Sequence, residues 1–279
     1  DNYKNLLFYI NLSIYVNPTF NEGLFFSAFI YQELNNFIMA EEIYNKIDKN
    51  SFLYLEGQMN IISNKNTSGY IDEAEELLKY HIKNDKKNIS LLVMLADLYR
   101  SSDQLNDCIF SYSKLIDMKN IDQDLLSRIF FKRGICYEKQ NKWKLAEKDF
   151  LKSLEINYED PQVLNYLAYA WIEKNVFIDK SIKMLLKASK RDPDNHYILD
   201  SLAWAYFKNN NLLQAAKIME DVIVLAPEEA ISLDHLGDIY FSLGRKREAY
   251  FMWKQARDLA NIGDDILNKI NIKIQNYGG

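Results

Sequence analysis

The chain has 279 residues, of which 48% are hydrophobic and 26% charged, a composition that excludes intrinsic disorder and fits a packed globular protein. Its net charge of -5 argues against the basic surface that binds phosphate backbones, so nucleic acid is not an expected partner. The two cysteines, Cys108 and Cys136, are far apart in no metal-ligand spacing and read as free thiols, with a disulfide as the alternative.

The chain opens at Asp1 without a Met, a basic leader or a signal-type apolar core, and so reads as a piece of a longer protein. Its most apolar stretch, Leu6 to Leu34, is interrupted by Asn11, Asn17, Pro18, Asn21 and Glu22. That predicts two amphipathic helices rather than a membrane span. The first of them (1–17) has the place of a hairpin's second helix, whose partner would precede Asp1. From Asn21 a pattern begins with Leu24, Ala28, Tyr31, Ala40 and Tyr44. Near Asn50 a looser copy follows, in which Gly57 and Ala74 stand five residues further apart than the pattern requires. The surplus falls in Ser63 to Tyr70, a Ser/Asn/Gly-rich run expected to be a loop.

A further copy starts near Ile89 with Leu92, Leu95, Ala96, Tyr99, Cys108 and Tyr112. The next starts near Ser127 with Phe130, Gly134, Tyr137, Ala146 and Phe150. Near Pro161 come Leu164, Leu167, Ala168, Trp171, Ser181, Leu185 and Pro193, with one extra residue in the turn. The clearest copies start at His196, with Leu202, Ala203, Tyr206, Ala215 and Pro227, and at Ala230, with Leu236, Gly237, Tyr240, Ala249 and Trp253. Ile266, Leu267, Ile270 and Ile274 then predict a helix over 263–276 that covers the last copy's open face.

Leu202 and Leu236, Ala203 and Gly237, Tyr206 and Tyr240, and Ala215 and Ala249 are each 34 residues apart. Period and residue types resemble the tetratricopeptide (TPR) repeat, a pair of helices joined by a tight turn. The turn positions support the register independently. They hold Asn35, Asn64, Asp103, Asn141, Asn175, Asn210 and Gly244, the residue types that tolerate the left-handed backbone ending a helix. The resemblance implies an all-α fold: a right-handed superhelical solenoid over 1–279, closed by a C-terminal capping helix, with a concave face lined by first helices.

On that template the concave positions are Arg128, Phe131, Asn165, Tyr169, Ile172, Asp200, Trp204, Phe207, Asp234, Asp238 and Phe241, preceded by Phe25, Phe29, Tyr54, Gln58, Val93, Asp97 and Arg100. The face is aromatic and apolar with acids concentrated toward the C-terminus. It suits a protein or peptide with apolar anchors and basic residues. The alternative is that the aromatics pack against the chain's own helices and that the acids form a solvated face. Chaperone-binding TPR domains hold a terminal carboxylate with Lys and Asn, where this chain has Asp200, Trp204, Asp234, Asp238, Asn165 and Tyr169; no such clamp is expected.

His235 and His196 read as surface histidines near helix starts, and no metal-ligand spacing, phosphate-binding Gly loop or nucleophile arrangement points to a metal, a cofactor or catalysis.

The segments DPQVLNYLAYA, DPDNHYILDSLAWAYFKNNNLLQAA and LDHLGDIYFSLGRKREAYFMWKQA resemble the C-terminal repeats of proteobacterial exported or lipid-anchored TPR proteins, with Ala203 where that group usually has Gly. The resemblance implies a non-enzymatic scaffold or adaptor in the periplasm or at the outer membrane, serving a processing protease or an assembly machine, with a cytoplasmic location as the alternative. Two other roles remain open: a structural subunit that self-associates or joins multi-protein complexes, and the regulatory repeat region of a larger enzyme.

Overall fold

The computed structural model describes residues 2–261 and 265–277, and every element among them is an α-helix. They divide into two compact units, Asp1–Ile121 with Ile135–Lys142, and Asp122–Gly134 with Trp143–Gly279.

The first unit holds α1 (Asn2–Val16), α2 (Asn21–Glu33), α3 (Phe37–Tyr44), α4 (Tyr54–Thr67), α5 (Ile71–Asn84), α6 (Ile89–Ser101) and α7 (Leu105–Ile116). α8 (Gln123–Lys139) gives its C-terminal part to the first unit and its N-terminal part to the second. The second unit continues with α9 (Trp143–Ile156), α10 (Pro161–Glu173), α11 (Ile178–Arg191), α12 (His196–Lys208), α13 (Leu212–Leu225), α14 (Ala230–Ser242), α15 (Lys246–Leu259) and α16 (Asp265–Tyr277).

The hairpin turns are closed by one local mechanism. Asn35, Asp103, Asn141, Asn175 and Asn210 have φ between 56° and 60°, and Gly244 has φ 80°. The N–H of the following residue then reaches back to the carbonyl of an aromatic in the preceding helix: Asn36 to Tyr31, Gln104 to Tyr99, Val176 to Trp171, Asn211 to Tyr206 and Arg245 to Tyr240, all at 2.8–2.9 Å. These bonds satisfy carbonyls that the ending helix leaves without partners. Several first helices also begin on a side-chain cap. Asn88 accepts from Leu91 N–H, Asn195 from Tyr197 and Ile198 N–H, and Asp160 from Gln162 and Val163 N–H with Pro161 in the first turn.

Three expectations are corrected. Ser63 to Tyr70 is not a loop, and Asn64 is not its turn. α4 continues as a helix to Thr67, and the reversal comes at Gly69, with φ 84°. Lengthening a helix keeps its backbone hydrogen-bonded, which a loop of the same length would not. The cysteines are not free either: Cys108 and Cys136, both fully buried, form a disulfide joining α7 to α8 with their Cα atoms 6.7 Å apart. Residues 28 apart in sequence meet because consecutive helices pack together, and spacing alone does not reveal that. Lastly, His235 is not on the surface, being only 7% exposed.

Small residues set how closely the paired helices approach. Ala28, Ala40, Ala74, Ala96, Ala146, Ala168, Ala203, Ala215 and Ala249 are completely buried. At Gly134 a Cβ would stand 2.5 Å from the Phe150 ring, and at Gly237 it would meet the Trp253 indole. Glycine is therefore required there for close packing and not for backbone freedom. In the second unit Leu236, Ile239, Trp253, Ala256 and Ile270 belong to one continuous core, so α16 covers the last hairpin as expected. Residues 263 and 264 of its expected span lie outside the described residues.

Candidate functional site

The candidate residues of the second unit lie on α8, α10, α12 and α14, and their surroundings change along the series. Arg128 is exposed. Phe131 is buried, with its ring 5.8 Å from Phe150 and 5.5 Å from Tyr166. Asn165 and Tyr169 are half-buried; the Asn165 Oδ1 is enclosed without a hydrogen-bond partner among the described residues. Burial, reinforced by Glu173 and Asp200, pushes the Tyr169 phenol well above the usual tyrosine range, so it stays a neutral donor.

On α12 the residues form a packed cluster. The Trp204 indole stacks on the His235 ring with centroids 4.0 Å apart and planes 14° from parallel, and on Phe207 at 4.8 Å and 19°. Its Nε1 donates to Glu173 at 2.8 Å, which carries the cluster from α12 to α10. His235 Nδ1 lies 3.1 Å from the Asp200 carboxylate, itself buried. Burial alone would lower the pKa of His235. The carboxylate of Asp200, with Asp234 and Asp238 nearby, outweighs this and raises it above the ordinary histidine value.

On α14 the C-terminal helix supplies the partners. Lys273 Nζ lies 2.8 Å from both carboxylate oxygens of Asp234 and 2.7 Å from Asp238, while Tyr277 packs on Phe241 with ring centroids 4.4 Å apart. Asp238 also accepts from Trp253 Nε1 at 3.1 Å. Burial raises the pKa of Asp234 against the opposing pull of Lys273.

The sequence pattern picks out the acids and aromatics but not Glu173, Lys273 and Tyr277, which hold them, and it reads the buried His235 as a surface residue. One signal was readable. Lys273 and Tyr277 are four residues apart, and so project from the same side of α16. Among the described residues no group of three or more His, Cys, Asp or Glu side chains could hold a metal ion, and no helix is long and apolar enough to cross a membrane.

No family model matches the chain. It is 24% identical over 172 residues, 61% of its length, to the TPR repeat-containing protein PA4667 of Pseudomonas aeruginosa, of which the match spans 28%. A tetratricopeptide repeat protein from Parabacteroides merdae superposes with a TM-score of 0.66 at 18% identity, covering 90% of this chain and 96% of that one. The APC/C hetero-tetramer Cut9–Hcn1 matches with a TM-score of 0.70 at 12% identity, covering 97% of this chain and 52% of that one. With its 34-residue period, turns closed by Asn, Asp or Gly, and small-residue helix pairs, the chain has the tetratricopeptide-repeat fold.

Proposed function

We propose that the protein is a non-catalytic scaffold whose inner face, from Arg128 to Phe241, holds a protein segment bearing basic and apolar side chains, and that it serves as an adaptor in the bacterial envelope. The observation that carries this reading is the seating of α16. A lysine held between Asp234 and Asp238, with an aromatic one turn later on Phe241, is how a basic amphipathic segment engages such a face. With α16 in place, Asn165, Tyr169, Phe207 and Arg128 are the positions left to an external partner. The buried Cys108–Cys136 disulfide supports the envelope location, because disulfides persist in oxidising compartments.

The test is site-specific photo-crosslinking in cells, with the reactive amino acid at Tyr169 or at Leu213, an α13 residue 77% exposed. Partner crosslinks from Tyr169 that vanish in an Asn165→Lys, Phe207→Ala background are expected. Crosslinks from Leu213 alone would overturn the inner-face reading.

A second reading, self-association, is favoured by α1, which exposes Phe8, Tyr9, Tyr15 and Val16 at 64%, 66%, 83% and 77%. It requires that sedimentation show a concentration-dependent oligomer that Tyr15→Glu with Val16→Lys dissolves; a wild-type monomer at all concentrations eliminates it.

A further inference from the structure

The first unit contains a cleft of about 780 Å³ that the inner-face reading does not use, walled by α5, α6 and α7. Its walls are apolar, formed chiefly by Ile82, Leu92, Leu95, Phe110, Leu115 and Met118. Four lysines line it too: Lys86 and Lys87 in the connection between α5 and α6, Lys114 in the last turn of α7, and Lys119 just beyond. None of the four has an ion-pair partner among the described residues; Lys114 lies 4.2 Å over the Phe110 ring.

The lysines share one end of the cleft. α6 and α7 form an antiparallel hairpin, so the start of α6, the end of α7 and the α5–α6 connection are all at its open end. Asp107, the acid in the lining, and Tyr99, whose hydroxyl is engaged by Glu75 at 2.7 Å, stand toward the turn. Between Leu92 and Tyr99 the apolar wall runs about 10 Å, at 1.5 Å per helical residue. Lysines at helix C-termini are ordinary features that complement the helix dipole. What turns these into a site is the apolar cleft that ends at them, within a chain whose net charge is -5.

We propose that this cleft binds a single-chain anionic amphiphile, its acyl or alkyl tail along Leu92, Leu95 and Phe110 and its carboxylate or phosphate head among Lys86, Lys87, Lys114 and Lys119. The volume lies within the range of small-molecule sites and takes one chain. The polarity gradient selects a ligand charged at one end, where an acidic peptide would need lysines distributed along the cleft.

The experiment is displacement of a dansyl-labelled undecanoic acid from the full chain, below micelle-forming concentrations, by dodecanoate, dodecyl phosphate, dodecanol and an acidic peptide carrying one Trp. Displacement by dodecanoate or dodecyl phosphate, with dodecanol about tenfold weaker, is expected, and the stronger of the two anions identifies the head group. Lys87→Glu with Lys114→Glu, both exposed and so tolerated by the fold, is expected to weaken anion binding about tenfold or more while leaving dodecanol unchanged. Ser111→Trp, which fills the cleft from its half-buried edge, is expected to abolish both. Equal displacement by dodecanol and the anions, displacement by the peptide alone, absence of probe binding, or indifference to the lysine reversals in a chain whose circular dichroism is unchanged would each overturn the proposal.

Discussion

The two units are built from the same hairpin and held by different chemistry. In the first, the Cys108–Cys136 disulfide ties α7 to α8, and an apolar cleft stays open. In the second there is no cysteine; Trp204, His235 and Phe207 stack, Lys273 joins Asp234 and Asp238, and the last hairpin is closed by α16. A repeat fixes the helix pairing, and thus leaves each segment free to choose how its stack is fastened. The choice has expected consequences: reductant should act on the first unit, and neutralising Lys273 on the second.

The largest effect expected is common to both, since it strikes the hairpin itself. Ala249→Asp in the second unit and Ala40→Asp in the first bury a charge where no side chain fits, and should each cost roughly 2–5 kcal/mol in denaturant melts. Loss in one unit only would mean that the small positions are not equivalent.

Reduction separates the units. For a loop of 28 residues, opening the disulfide is expected to remove about 3.5 kcal/mol, seen by hydrogen exchange as lost protection in α7 while α12 to α15 keep theirs. Uniform loss across the chain would show that the two halves unfold as one.

Lys273→Met should act in the reverse sense, loosening α16 and the end of α14 and leaving α7 unchanged. It strands the buried Asp234. The expected cost is about 2 kcal/mol, below that of a fully buried pair because Lys273 keeps 22% exposure. Adding Asp234→Asn should recover part of it, and a double variant no better than the single one would mean that packing, not charge, seats the helix.

The smallest effect is a pH dependence of the second unit that runs through His235 and Asp200. With its pKa raised in the folded chain, His235 contributes stability that is full below the ordinary histidine value of about 6.5 and is lost as pH rises through the folded pKa. The stability gap between wild type and Asp200→Asn should therefore be widest under mildly acid conditions and narrow toward alkaline pH. A gap that widens with pH would mean that His235 is neutral against Asp200.

Much of the fold was legible because its causes are local. The left-handed turn positions from Asn35 to Gly244, the buried alanines and the 34-residue spacing each express a backbone or steric requirement met within one hairpin. The exception, Asn64, failed for an instructive reason: a helix can absorb extra residues by continuing, and Gly69 offered a turn as good five residues later. The candidate face was legible as a list but not as an environment. Asp234 reads as a solvated acid until Lys273, 39 residues on, is seen against it, and His235 as a surface residue until Trp204 covers it.

By itself the sequence determined the repeat, its register, the small-residue contacts and the existence of a final covering helix, because residues a few turns apart settle these through sterics and hydrogen bonding. Only the tertiary structure decided that Cys108 meets Cys136, that α16 brings a cation to the acids of α14, and that an apolar cleft ends in four lysines. Those depend on which side chains of different hairpins come within a few ångströms of each other, and no periodicity along the chain records that distance.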